Sequence, residues 1–459
     1  MLFARNLTFA PALALALSLP LSLTAPAFAQ DVERMDEVVT SEADLGTFMG
    51  AVLVAKDGEV LIDKAWGSAN LEWQVDNTTL TKFLIGSVTK QFTAVSILLL
   101  QEQGKLTLDD PIKDHIADTP EAWDAITVRQ LLHHTAGLPN VTSLEDFARQ
   151  QYLPTTQDEL IAMFSDLPLE FEPGSKWSYS NSGYVLLSRI VETVSEQDYA
   201  DFVQANLFDP LGMKETGLDV SATILPKRAA GYSPGEDGVE NADYVYMGIP
   251  TGAGAMYSTT GDLLKWQRGL FGGEVLSAES LAQYITPGEN ADMGGEQYAL
   301  GVIIGDDEDG KTYSHGGGIQ GFNAWLGYDP DKKATVVVLA NLNGRAASKL
   351  GGQLMQLARG NEVVLASERE VADLGDTDLT QYEGVYALTP TFKITVTAED
   401  GKLMAQATGQ PKFELFPESP DNFFVRVVDA QVRFERGADG EVSSLTLFQG
   451  GQEIPGEKE

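Results

Sequence analysis

The chain has 459 residues, 43% of them hydrophobic, and a formal net charge of −36. Single cores stop growing near roughly 250–300 residues, so this length predicts more than one domain, and the apolar content excludes wholesale disorder. The acidic balance argues against nucleic-acid and anionic-membrane partners, and the absence of cysteine excludes disulfides, thiolate catalysis and cysteine-ligated metal or iron–sulfur sites.

Residues 1–29 read as a cleaved signal peptide. Arg5 supplies the positive n-region, Ala12 to Leu23 the apolar h-region, and Ala27-Phe28-Ala29 an A-x-A cleavage site, so the mature chain is expected to begin at Gln30. Pro11, Pro20 and Pro26 break the apolar run, which is too short to span a bilayer comfortably. The expectation is an exported protein, periplasmic or secreted, with no stable membrane span.

After the leader, Val32, Met35 and Val39 fall at helical spacing. "GAVLVAKDGEVLIDKAWG" reads as a hairpin turning at Asp57-Gly58. A mostly helical middle follows, with helices expected at Ser87–Gln103, Val128–Thr135, Asp158–Ser165, Ser182–Ser195, Tyr199–Leu207 and Thr260–Phe271. Strands return in "YALGVIIG", "KTYSHGGG", "FNAWLGYDP" and "KKATVVVLANLN", and a helix is expected at Ala346–Ala358. A sheet divided between the two ends of one domain, with helices inserted between, predicts an α/β (α+β) layered domain over 30–360. Residues 361–378 are polar and acidic and read as a linker. From 379 to 459 the period becomes two around Asp400-Gly401 and Asp439-Gly440, which predicts a small all-β barrel.

Two glycine patterns are rejected. Gly305 to Thr312 satisfies the P-loop expression, but acidic side chains fill the loop that must cradle phosphate, and strands flank both sides. Gly316 to Gly321 matches G-x-G-x-x-G but leads into a strand. The four histidines, His115, His133, His134 and His315, have no metal-site spacing, and G-x-S-x-G is absent. No cofactor and no metal are implied.

Three short motifs carry chemistry. Ser87-Val88-Thr89-Lys90 is the one S-x-x-K in the chain. Residues at i and i+3 share a helix face, so hydroxyl and amine can meet, and a helix N-terminus favours developing negative charge. An ordinary lysine, with a pKa of about 10.4, is a poor base until burial or a nearby cation lowers it. Tyr179-Ser180-Asn181 is the one Y-x-N. Its phenol can shuttle a proton, and its amide can both donate to and accept from a substrate amide. His315-Gly316-Gly317 lies on an expected strand, where bare glycines let a substrate lie along the edge, and Gly318 N–H can serve as a second oxyanion donor beside that of Ser87. Each motif alone also reads as ordinary structure: a serine N-cap with a solvated lysine, a capped loop, a β-bulge beside a satisfied histidine.

Together and in this order, S-x-x-K, Y-x-N and H-x-G resemble the serine penicillin-recognising hydrolases. The similarity is to the class C β-lactamase-related group of D-alanyl-D-alanine carboxypeptidases, D-aminopeptidases and β-lactamase-like esterases. "LLHHTAGLP", "EPGSKWSYSNSGYVLL", "PLGMKETG" and "GAGAMYSTTGDLLKW" resemble stretches of the same group. The resemblance implies a β-lactamase/transpeptidase-like antiparallel sheet flanked by helices. It implies Ser87 as the acylated nucleophile, Lys90 and Tyr179 as catalytic partners with the choice of base left open, and Asn181, His315, Gly317 and Gly318 on the substrate. His315 stands where many relatives carry the lysine of K-T-G, which favours peptidase or esterase activity over a true β-lactamase or D,D-carboxypeptidase. A catalytically silent relative that binds peptidoglycan fragments or another small ligand is the remaining alternative. The C-terminal segment resembles the lipocalin-like domain of some of these hydrolases, which implies a domain that flanks the active site and limits substrate size.

Overall fold

The computed structural model describes residues 27–459 apart from 236–237, 376, 427–429 and 450–451. Most of the expected leader lies outside the described residues. The first helix, Ala27–Asp44, starts at the expected cleavage motif and buries Met35, Val38 and Val39.

Asp57 and Gly58 both take positive φ, 49° and 86°, and turn the strand Gly50–Lys56 back into Glu59–Trp66. This hairpin forms one edge of a seven-stranded antiparallel sheet. Its neighbour is Ala334–Ala340, with Gly50 opposite Ala340 and Lys56 opposite Ala334. The sheet then runs through Phe322–Asp329, Gly310–Ile319 and Ile303–Asp307 to Gln297–Tyr298. The two ends of the domain therefore close one sheet, as the sequence predicts.

Side-chain alternation builds three layers. Ala51, Leu53, Val337 and Leu339 point into a core with Phe92 and Val95 from the helical middle. Val52, Val54, Val336 and Val338 point the other way, onto Met35, Leu350 and Leu354. The second face is thus covered by Ala27–Asp44 and by Ala346–Arg359. The helix Thr89–Glu102 lies on the first face, wrapped by the helical region, and every residue from Thr89 to Leu98 is buried. This explains its apolar character on all sides.

Both rejected glycine motifs sit in strands. Gly305 lies on Ile303–Asp307 and Lys311 on Gly310–Ile319, with Asp306 opposite Lys311 across a hairpin. Gly316 to Gly318 are ladder residues opposite Trp325, Ala324 and Asn323. Two expected helices change form. The expected Val128–Thr135 helix ends at Leu132, because His134 turns left-handed at φ 60°. The expected Tyr199–Leu207 helix is helical only to Val203 and then widens into a π turn, Gln204–Phe208. There the Asn206 side chain donates to the Phe202 carbonyl at 2.8 Å, competing with the regular ladder, and Pro210 lacks an amide hydrogen.

Beyond the sheet, Arg34 donates to the Val363 carbonyl at 2.6 Å and pairs with Glu368, while Ala372 N–H donates to Pro417 O at 2.8 Å. The segment between the two domains is therefore tied to both. The C-terminal strands, from Gly384–Ala387 to Gln452–Lys458, form a closed eight-stranded barrel. Tyr382, Tyr386, Phe423 and Phe434 pack ring against ring inside it. Among the described residues no helix is long and apolar enough to cross a membrane.

Candidate active site

Strand Phe83–Leu84 pairs with Met256–Ser258, and Ile85 N–H donates to Met256 O at 2.9 Å. Gly86 then takes φ +49°, and a 3-10 turn over Gly86–Val88 carries Ser87 into the buried helix. This is the strand-to-helix entry that the S-x-x-K motif requires. The strand Gly310–Ile319 comes up against this turn so closely that neither side has room for a side chain. A β-carbon on Gly86 would lie 2.8 Å from Gly318 N, and one on Gly317 would lie 3.2 Å from Ser87 N. Pairing with Ile303–Asp307 ends at Ser314, so His315 to Ile319 have an open edge. The backbone amides of Ser87 and Gly318 are thereby brought to one place.

Lys90 is fully buried. Its Nζ lies 3.1 Å from Ser87 Oγ and 2.8 Å from each of two carbonyl oxygens, Asn181 Oδ1 and Ala253 O. It also lies 4.9 Å from the Tyr179 ring centroid and 5.3 Å from that of Tyr184. No carboxylate balances it among these contacts. Burial pushes its pKa well below the ordinary lysine value. Tyr179 responds in the opposite direction. Burial raises its pKa above the ordinary phenol value, with the Ser87 hydroxyl pulling slightly back, so it is a phenol at neutral pH.

Asn181 is the first residue of the helix Asn181–Ser195. Its backbone N–H donates to Asn140 Oδ1 at 3.0 Å and its side-chain Nδ2 to Thr142 Oγ1 at 3.0 Å. Spacing of two lets Tyr179 and Asn181 both face Lys90, as the Y-x-N reading expects. In the structure Asn181 Oδ1 is engaged by Lys90, so the residue holds the amine as well as lining the cavity.

His315 departs from expectation. It is only 3% exposed and turns away from the cavity. Its Nδ1 lies 2.6 Å from Gly316 O, so that nitrogen carries the proton and donates, while Nε2 accepts from the Tyr298 hydroxyl at 3.0 Å. Burial lowers its pKa to about 3. Both ring nitrogens are engaged internally, whereas the resemblance implies a side chain that faces the substrate. The reason is Tyr298, 17 residues upstream, whose hydroxyl draws the ring inward.

A cavity of about 520 Å³ opens over Ser87. Asn181, Thr142, Gly318, Gln320 and Asn343 supply its polar groups, and Val141, Phe147, Val185, Val245, Ile249 and Ile319 its apolar walls. None of the described lining residues is charged. No described barrel residue lines it either. Gln449 of the barrel lines a second cavity of about 1050 Å³ beside Ala346–Arg359, and Asn343 borders both.

Several site residues escaped the sequence reading. Ala253 contributes only a carbonyl, which no side-chain pattern reveals. Tyr298 stands in the expected strand "YALGVIIG" and Tyr184 in the expected helix Ser182–Ser195, with no role assigned to either. His134 lies inside "LLHHTAGLP", a stretch similar to the group but without a role assigned from its residue types.

The fold and this arrangement define a member of the Beta-lactamase family, whose match spans residues 35–359. The chain belongs to that family of serine hydrolases. Residues 368–458 match a second family, described as Domain of unknown function (DUF3471). Penicillin-binding protein 4* of Bacillus subtilis (strain 168) is 29% identical over 432 residues, 88% of this chain and 94% of its own. The octameric penicillin-binding protein homologue from Pyrococcus abyssi superposes with a TM-score of 0.69 at 27% identity, covering 93% of this chain and 100% of its own. The penicillin binding protein from Bacillus halodurans gives a TM-score of 0.65 at 29% identity over 70% of this chain and 99% of its own.

Proposed function

We propose that the chain cleaves an amide, peptide or ester bond through an acyl-enzyme on Ser87. The observation that carries this reading is the coordination of Lys90. A neutral amine has two N–H bonds and one lone pair. Two carbonyl oxygens at 2.8 Å take the two N–H bonds, which leaves the lone pair for the Ser87 hydroxyl proton at 3.1 Å. Burial favours that neutral form. The same burial keeps Tyr179 protonated, which favours Lys90 as the base and Tyr179 as the acid.

Ser87 Oγ then bonds to the substrate carbonyl carbon as its proton passes to Lys90 Nζ. The amides of Ser87 and Gly318 donate to the oxyanion of the tetrahedral intermediate. When the intermediate collapses, the bond to the leaving nitrogen or oxygen breaks and Tyr179 supplies the proton to it. Lys90 returns its proton to Tyr179, and a water attacks the ester of Ser87 by the same route in reverse.

The uncharged cavity and the inward-turned His315 favour a neutral amide or ester over a substrate anchored by its carboxylate. That places a peptidase or esterase ahead of a true β-lactamase or D,D-carboxypeptidase. Export, and with it access to peptidoglycan fragments, rests on the leader alone. Turnover of p-nitrophenyl acetate and of 4-nitroacetanilide by wild type and by Ser87→Ala tests the reading. Both activities are expected to vanish in the variant, and retention of either near the wild-type rate contradicts it.

A further inference from the structure

We infer that His134 is a positioning residue for Tyr179, clamping it from both sides so that its phenol stays on the Ser87–Lys90 pair. The inference rests on the role proposed for Tyr179. Tyr179 sits in a loop, and a loop by itself does not hold a proton donor to the tolerance that proton transfer demands. The clamp supplies that rigidity. Ser178 N–H donates to the His134 carbonyl at 2.9 Å, and Ser180 N–H donates to His134 Nδ1 at 3.3 Å. These are the residues immediately before and after Tyr179. The imidazole itself packs on the Tyr179 ring, with centroids 4.3 Å apart, and on Tyr298 at 4.6 Å and Tyr184 at 5.2 Å.

Two further features separate His134 from an ordinary core histidine. Its backbone is held at φ 60°, in the left-handed region that few residues with a β-carbon adopt. Its ring is 2% exposed, and with Nδ1 accepting, the proton sits on Nε2, which has no hydrogen-bond partner among the described residues. A neutral ring therefore faces the aromatic groups around Tyr179, at the cost of one unmade hydrogen bond. Asparagine suits this backbone better and still offers an acceptor, but it has no ring to set against Tyr179.

The test uses the full-length chain, with p-nitrophenyl acetate and 4-nitroacetanilide as probes and burst titration to count competent sites. The nitrophenolate leaves without help, whereas the anilide nitrogen needs a proton, so misplacing Tyr179 penalises the anilide selectively. His134→Phe keeps a ring but loses the Nδ1 acceptor, and His134→Asn relieves the backbone but loses the ring. Each is expected to lower anilide kcat per titrated site by about 10- to 100-fold, with KM and the rate of the ester burst, the acylation step that needs no leaving-group proton, much less affected, as in Tyr179→Phe. A residue that only stabilises the fold lowers the number of titratable sites and leaves the anilide-to-ester ratio alone. A wild-type ratio in the folded variants, with a Ser87-dependent burst intact, overturns this inference only. Turnover of neither probe by the wild-type protein, or turnover that survives Ser87→Ala, overturns the reading of the site and this inference with it. His134→Asn keeps the comparison decisive should His134→Phe not fold.

Discussion

The backbone at Gly317 rests directly on that of Ile85: a β-carbon on Gly317 would lie 1.9 Å from the Ile85 carbonyl oxygen. This contact is between two main chains, so no side-chain rotation relieves it. Gly317→Ala is expected to push the glycine strand off the Ser87 turn, destabilising the fold by about 1–3 kcal/mol and separating the Ser87 and Gly318 amides. Urea unfolding and acylation kinetics measure the two effects. Wild-type values for both in Gly317→Ala contradict the close approach.

Lys90 must be neutral to accept the Ser87 proton, so kcat/KM rises with pH through its pKa. Burial sets that pKa well below 10.5. The acid limb of the pH–rate profile is therefore expected well below that value. Lys90→Arg, which stays protonated, is expected to lower kcat by about 10²–10⁴-fold. An acid limb centred near the ordinary lysine value is the contrary result.

His315 and His133 carry pKa values lowered by burial to about 3 and about 4. Below pH 6.5 the unfolded chain takes up these protons and the folded chain does not. Stability is thus complete above 6.5, declines as the pH falls, and stops declining through this pair at about 3. Each histidine contributes a slope of up to about 1.4 kcal/mol per pH unit within its window. Carboxylates are common to wild type and His315→Gln, so the comparison isolates one histidine. Between pH 7 and pH 5 wild type is expected to lose more unfolding free energy than His315→Gln, and equal losses in urea titrations count against a buried neutral ring.

Much of this architecture was legible because its signals are local. The Asp57-Gly58 turn, the S-x-x-K helix and the period-two barrel strands each declare themselves within a dozen residues. The strands at the two ends of the domain, with helices inserted between them, also made the closed sheet legible. What stayed hidden is non-local. Strands of two or three residues, such as Phe83–Leu84 and Met256–Ser258, show no period at all. The family resemblance marked His315 as a site residue, but its orientation depends on Tyr298 beneath it. The Ala253 carbonyl matters only because the fold delivers it to Lys90. The π turn at Gln204–Phe208 follows from one side-chain amide taking a helix carbonyl, which helical periodicity does not register.

The central claim is a covalent acyl-enzyme on Ser87, and intact-mass spectrometry of wild type and Ser87→Ala after brief exposure to a p-nitrophenyl ester tests it most directly. The account predicts a mass increase equal to the acyl group in wild type, mapped to the peptide containing Ser87 and absent from Ser87→Ala. The same adduct in Ser87→Ala, or Ser87-independent release of nitrophenol, would contradict it.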